Sequence, residues 1–150
     1  MKALFPVLVS IFLATSASAA DWSRDCGDAR CLIATRLVDP DADRIFATVV
    51  ISLNHDRTDP VLVILTPLGV AMRAQARLVI DGEATLETDF EVCFPDGCQS
   101  QRPLTDADLE RMASATRISV QYFGFGRDAP SSADLGLDGL ADALSASQAP

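Results

Sequence analysis

The sequence holds a single histidine, His55, a single lysine, Lys2, and no apolar run long enough to cross a bilayer. Each shortage removes a class of function. A serine nucleophile needs a histidine base, but His55 stands in the polar stretch Asn54-His55-Asp56-Arg57-Thr58-Asp59-Pro60 and the chain has no G-x-S-x-G elbow. A zinc site asks for C-x2-C spacing or several histidines, and neither is there. A thioredoxin-like redox site asks for C-x-x-C at a helix start in a βαβ pattern, also missing. Asp39-Pro40-Asp41-Ala42-Asp43 spaces three carboxylates like a calcium loop. Arg44 stands where that loop turns on glycine, however, and no glutamate follows at its twelfth position, so an acidic surface turn is expected. Gly124-Phe125-Gly126 lacks the strand-to-helix setting of a phosphate loop, and its glycines read as easing a bend.

What is present starts with an export signal. Leu4 to Ala14 (LFPVLVSIFLA) is an apolar run of 11 residues, and a bilayer span needs about 20. Lys2 precedes the run and Ala17-Ser18-Ala19 follows it with small residues, so residues 1–20 are expected to be a cleaved secretory signal. The mature protein is then soluble, with no membrane span, in the periplasm or secreted. Residues 21–146 form one domain and residues 147–150 a frayed tail. Without Lys2 the chain has eleven arginines against 21 acidic residues, a net charge of −10. That charge repels nucleic acid and anionic lipid and favours a basic partner.

Cys26, Cys31, Cys93 and Cys98 are an even set in an exported chain, where disulfides are the default. In CFPDGC (93–98), proline presets the first turn position, aspartate suits the second, and glycine accepts a left-handed conformation after it. This reads as a hairpin closing with a bulge, whose flanking residues have Cα atoms about 4.5–5.5 Å apart, within disulfide reach. Cys26 and Cys31 have the same spacing, with Gly27-Asp28 as the turn, and by parity pair locally too. Two other connectivities stay open.

The remaining pattern is mostly strand. Ile45 to Leu53 and Val61 to Leu65 are β-branched apolar runs that suit a buried sheet. Ala76, Leu78 and Ile80 alternate with polar residues, as do Leu86, Thr88, Phe90 and Val92, and Asp81-Gly82 marks the hairpin between them. Register then sets Leu78 opposite Leu86 inside and Arg77 opposite Glu87 outside, with Gln75 near Asp89 and Arg73 near Glu91. The outer face carries an acidic row, Glu87, Asp89 and Glu91, partly offset by arginines, which offers a docking strip for a basic protein. Ile118, Val120 and Tyr122 give another strand. Thr105 to Asp108 resembles a capping box, and Asp138 is placed to cap a second short helix through Leu140 and Leu144. Six to eight strands with one or two short helices indicate an all-β, disulfide-stapled sandwich.

Trp22 ahead of Cys26, LTPLGV at 65–70, LVIDG at 78–82, CFPDGC at 93–98 and L-x4-L-x2-M at 104–112 occur together in one order. In this the chain resembles the invasion-associated locus B family of exported bacterial proteins over essentially its whole mature length. The resemblance implies an immunoglobulin-like β-sandwich in the periplasm or at the outer membrane, with no established catalytic residues and no cofactor. Some members are linked to host-cell invasion. The function expected is a non-catalytic binding or envelope-support module; the alternative is a thiol-redox or metal-binding protein that uses the cysteine pairs.

Overall fold

The computed structural model describes residues 21–39, 41–56 and 58–146. The expected signal (1–20) and tail (147–150) lie outside the described residues. Nine antiparallel strands and two helices follow in the order β1 (Ser23–Cys26), β2 (Arg30–Asp39), β3 (Arg44–Asn54), β4 (Val61–Thr66), β5 (Ala76–Ile80), β6 (Ala84–Phe94), β7 (Gly97–Pro103), α1 (Asp106–Ala113), β8 (Ile118–Tyr122), β9 (Ser131–Leu135) and α2 (Leu140–Ala146). The strands join edge to edge as β1-β2-β3-β4-β7-β6-β5-β8-β9. Strand number therefore exceeds the expected six to eight. Among the described residues no helix is long and apolar enough to cross a membrane.

β6 turns the sheet back on itself. Its residues Ala84 to Thr88 pair with β5, and from Asp89 onwards it pairs with β7. The two ends of the curl then meet through side chains: the Tyr122 hydroxyl donates to the Phe46 carbonyl (3.1 Å) and the Trp22 indole N–H donates to the Gly136 carbonyl (2.8 Å). Inside the curl, period-two alternation puts Ala47, Val49, Ile51 and Leu53 of β3 against Leu78, Ile80, Ile118 and Val120, every one at most 1% exposed. β3 and β4 were expected to lie in a buried sheet. Instead the sheet is covered on one face only, and Val50, Val61 and Val63 stay half-buried outside while Leu65 is 37% exposed.

Two buried hydroxyls tie the middle strands together. Thr88 and Ser100 are 2.8 Å apart, with the Ala76 carbonyl 2.9 Å from the first and the Ile64 carbonyl 3.2 Å from the second. Both residues are fully buried. Two hydroxyl protons serve three contacts, so one contact always lacks its proton.

A β-bulge corrects the expected strand faces. Register slips between Phe90 and Val92, leaving Glu91 as the extra residue. Val92 is consequently turned out, 37% exposed, rather than inward with Leu86, Thr88 and Phe90. The same slip sets the exposed Cys93 opposite the buried Cys98, at an odd spacing from Phe90.

The hairpin that follows also differs in detail. Phe94 pairs with Gly97, so the loop is Pro95-Asp96 and the bulge lies at Glu91, not at the tip. Gly97 has φ 155°, a positive-φ conformation that other residues rarely adopt, and glycine is needed there for a second reason as well: a Cβ would overlap the Thr66 carbonyl oxygen.

The helices close one end of the curl. Thr105 caps α1 in a capping box whose reciprocal acid is Asp108, and Leu109 and Met112 pack inward. Before α2, the carbonyl that accepts the first helical N–H, from Ala143, belongs to Gly139, which has φ 87°. The Asp138 carbonyl, one residue earlier, accepts the Asp21 N–H.

Candidate functional site

The acidic row lies on the outer face of β6 as its pattern requires. Glu87, Asp89 and Glu91 are exposed. The expected register holds where the ladder runs: Leu78 faces Leu86, Arg77 faces Glu87, and Gln75 donates to the Asp89 carboxylate at 2.8 Å. The ladder ends at Ala76 and Thr88, so Arg73 has no cross-strand position opposite Glu91. Glu91 instead accepts from the Gln101 amide at 2.7 Å.

The arginine offset is also absent from the row. Arg77 turns to the neighbouring strand, donating to Gln121 at 3.2 Å and lying 5.9 Å from the Phe123 ring centroid. Among the described residues the ion pairs are Arg44 with Asp39, Arg102 and Arg111 with Asp108, and Arg117 with Asp134, none of them in the row. Neutral amides thus orient two carboxylates without cancelling their charge.

Uncovered apolar side chains adjoin these carboxylates. Across the strands, Leu65 lines up with Gln99 and Val92, and Val63 with Gln101 and Asp89. Leu65 and Val92 are each 37% exposed. Sequence reasoning missed this neighbourhood, because a run such as Val61-Leu62-Val63-Ile64-Leu65 looks the same whether one face or both are covered. Gln101 and Gln75, ordinary polar residues in sequence, gain their role only from register.

The four cysteines form two local bridges, Cys26 with Cys31 and Cys93 with Cys98, with Cα separations of 4.0 and 3.9 Å. In each case the two residues sit directly opposite on paired strands, and no cysteine is free. The bridges stand at opposite ends of the curl. His55 secures the first: its exposed ring Nε2 lies 2.8 Å from the Gly27 carbonyl, which can only accept, so that nitrogen carries the proton. In the acidic turn, the Asp39 carboxylate accepts the Asp41 N–H and pairs with Arg44 at 3.6 Å.

At the helix end an open groove of about 910 Å³ runs between α1, α2 and the turn after β3. Asp56, Asp59, Asp106 and Glu110 stand around a floor that includes Leu104, Leu109 and Leu144. The Thr58 hydroxyl and N–H hold the Asp56 carboxyl below its ordinary pKa, as does the adjacent His55. The Asp81 carboxyl is likewise lowered, first by the Thr116 hydroxyl and then by the Arg117 and Thr116 N–H groups.

Comparison with known proteins agrees with the fold and with the residue pattern. The crystal structure of invasion associated protein B from Bartonella henselae superposes with a TM-score of 0.72, covering 87% of this chain and 93% of that one at 20% identity. No curated protein matches. The family described as invasion associated locus B (IalB) protein matches residues 15–148, and the chain belongs to that family.

Proposed function

We propose that this chain is an exported, non-catalytic protein-binding module of the periplasm or cell envelope, and that the outer face of β6 with its neighbours receives a basic partner. One observation carries the reading: Asp89 and Glu91 are held by the amides of Gln75 and Gln101, with no arginine among the described residues paired to either, beside the exposed side chains of Val92 and Leu65. Apolar contact flanked by oriented charge is what a specific interface uses, the first for affinity and the second for register and partner choice. Carboxylates fixed on a strand also lose less side-chain freedom on binding than carboxylates on a loop. The two layers on either side of β6 are read as an immunoglobulin-like sandwich, a scaffold that presents surfaces rather than encloses substrates. The Bartonella henselae protein is named for invasion. For this chain the reading stops at binding, and a host surface is one source of basic partners. Reversing the charge of Glu87, Asp89 and Glu91 and crosslinking in intact cells tests it.

A further inference from the structure

The two bridges share a layout but differ in what stands beside them. In each, one cysteine is exposed and the other buried: Cys26 against Cys31 at 1%, and Cys93 against Cys98 at 2%. An incoming thiolate can therefore reach only Cys26 or Cys93, and the buried sulfur is the one that leaves. At the first bridge the Arg24 guanidinium donates to the Cys31 sulfur at 3.8 Å. Period two sets Arg24 and Cys26 on one side of β1, with Ile33 and Cys31 as their cross-strand partners, so register brings the arginine to the bridge. At the second bridge the neighbour is uncharged and lies on the other sulfur: Met72 Sδ is 3.5 Å from Cys93 Sγ. Arg24 also has acidic residues close by in sequence, Asp25 and Asp28, in a chain with 21 of them. Among the described residues it nevertheless forms no ion pair, and its guanidinium goes to sulfur.

A cation at the departing sulfur stabilises the thiolate that develops there, and a better-stabilised thiolate leaves faster. We propose that the bridge of Cys26 with Cys31 is a thiol-exchange site, at which a low-molecular-weight thiol becomes joined to Cys26 while the bridge of Cys93 with Cys98 stays closed. The incoming thiol gives its proton to solvent and its thiolate attacks Cys26 Sγ. A new S–S bond forms there as the bond between Cys26 and Cys31 breaks, and the electron pair leaves on Cys31 as a thiolate beside Arg24. The incoming sulfur is oxidised to the disulfide level and Cys31 is reduced, so no other oxidant or reductant takes part. The fold tolerates the opening: β1 is an edge strand paired with β2 alone, and its four residues are all exposed. The site is separate from the β6 face and does not depend on what binds there.

The test exposes the oxidised, folded protein to reduced glutathione, quenches with acid at successive times, alkylates the free thiols and maps the peptides by mass spectrometry. In the wild type the first bridge should open before the second, with glutathione on Cys26 and the alkyl group on Cys31. Arg24→Gln should slow that opening about two- to fivefold, the worth of one exposed charge contact, and leave the rate at the second bridge unchanged. Arg24→Lys, which keeps the charge, should restore most of the rate. The proposal is overturned if the second bridge opens as fast as the first, if glutathione is found on Cys31, or if Arg24→Gln opens at the wild-type rate. Faster opening in Arg24→Gln would make the arginine a shield over the bridge and overturn it equally. The first two readings need only the wild type, so they hold whether or not the variants fold.

Discussion

Gly97 sits against the carbonyl oxygen of Thr66, leaving no room between hairpin tip and neighbouring strand for even a methyl group. The obstacle is backbone on both sides and cannot swing away. Gly97→Ala is expected to lower unfolding free energy by about 1–3 kcal/mol, the usual cost of overpacking, as read from urea denaturation. Gly82, with φ 76° and open space around it, should instead suffer only from backbone conformation when replaced.

The Thr88 and Ser100 hydroxyls make a second prediction. Thr88→Val and Ser100→Ala should each cost about 1–2 kcal/mol, the range for a buried hydrogen bond. Because two protons serve three contacts, the double variant should cost less than the two singles together, and a double-mutant cycle by chemical denaturation measures the difference.

The α1 capping box gives an acid-side prediction. Burial raises the Asp108 carboxyl, but the Thr105 N–H and hydroxyl, then Arg102 and Arg111, outweigh it and leave the pKa below the ordinary value. A lowered folded pKa means that the stabilisation is complete above the unfolded pKa and is lost as pH falls through the folded one. Asp108→Asn should therefore be less stable than the wild type at neutral pH, with the gap in melting temperature narrowing as the medium is acidified below the ordinary carboxylate range. Thr105→Ala should cost about 1 kcal/mol.

Much of this arrangement was legible in the residues. Asp81-Gly82 between two alternating runs fixed the β5–β6 register, and CFPDGC announced a bridged turn. The Glu91 bulge was hidden, since Leu86, Thr88, Phe90 and Val92 keep perfect alternation through it and only pairing with β7 reveals the slip. β2 was hidden as well: Leu32, Ala34 and Val38 on its outer face are as apolar as Ile33 and Leu37 inside, so no period-two signal survives. β9, with Ser131, Ser132 and Asp134, has little strand propensity and owes its form to pairing with β8. The docking row was visible as charge, but its missing arginines were not, because Arg77 had two neighbours to choose between.

The bridges close short loops, so the entropy model gives each about 2 kcal/mol. Cys93→Ser with Cys98→Ser should lower stability by roughly that amount without abolishing the fold. Non-reducing peptide mapping should recover Cys26 with Cys31 and Cys93 with Cys98; a peptide joining Cys26 to either Cys93 or Cys98 would contradict the local pairing.

The central claim, that the outer face of β6 binds a basic protein, is tested most directly by crosslinking in intact cells followed by mass spectrometry, comparing the wild type with the Glu87→Lys, Asp89→Lys, Glu91→Lys variant. Exposed charges of this kind contribute only about 0–1 kcal/mol each to stability, so the variant should melt near the wild type. The account predicts that at least one crosslinked partner, carrying a basic surface, disappears with the reversal. Survival of every partner in a normally folded variant would contradict it.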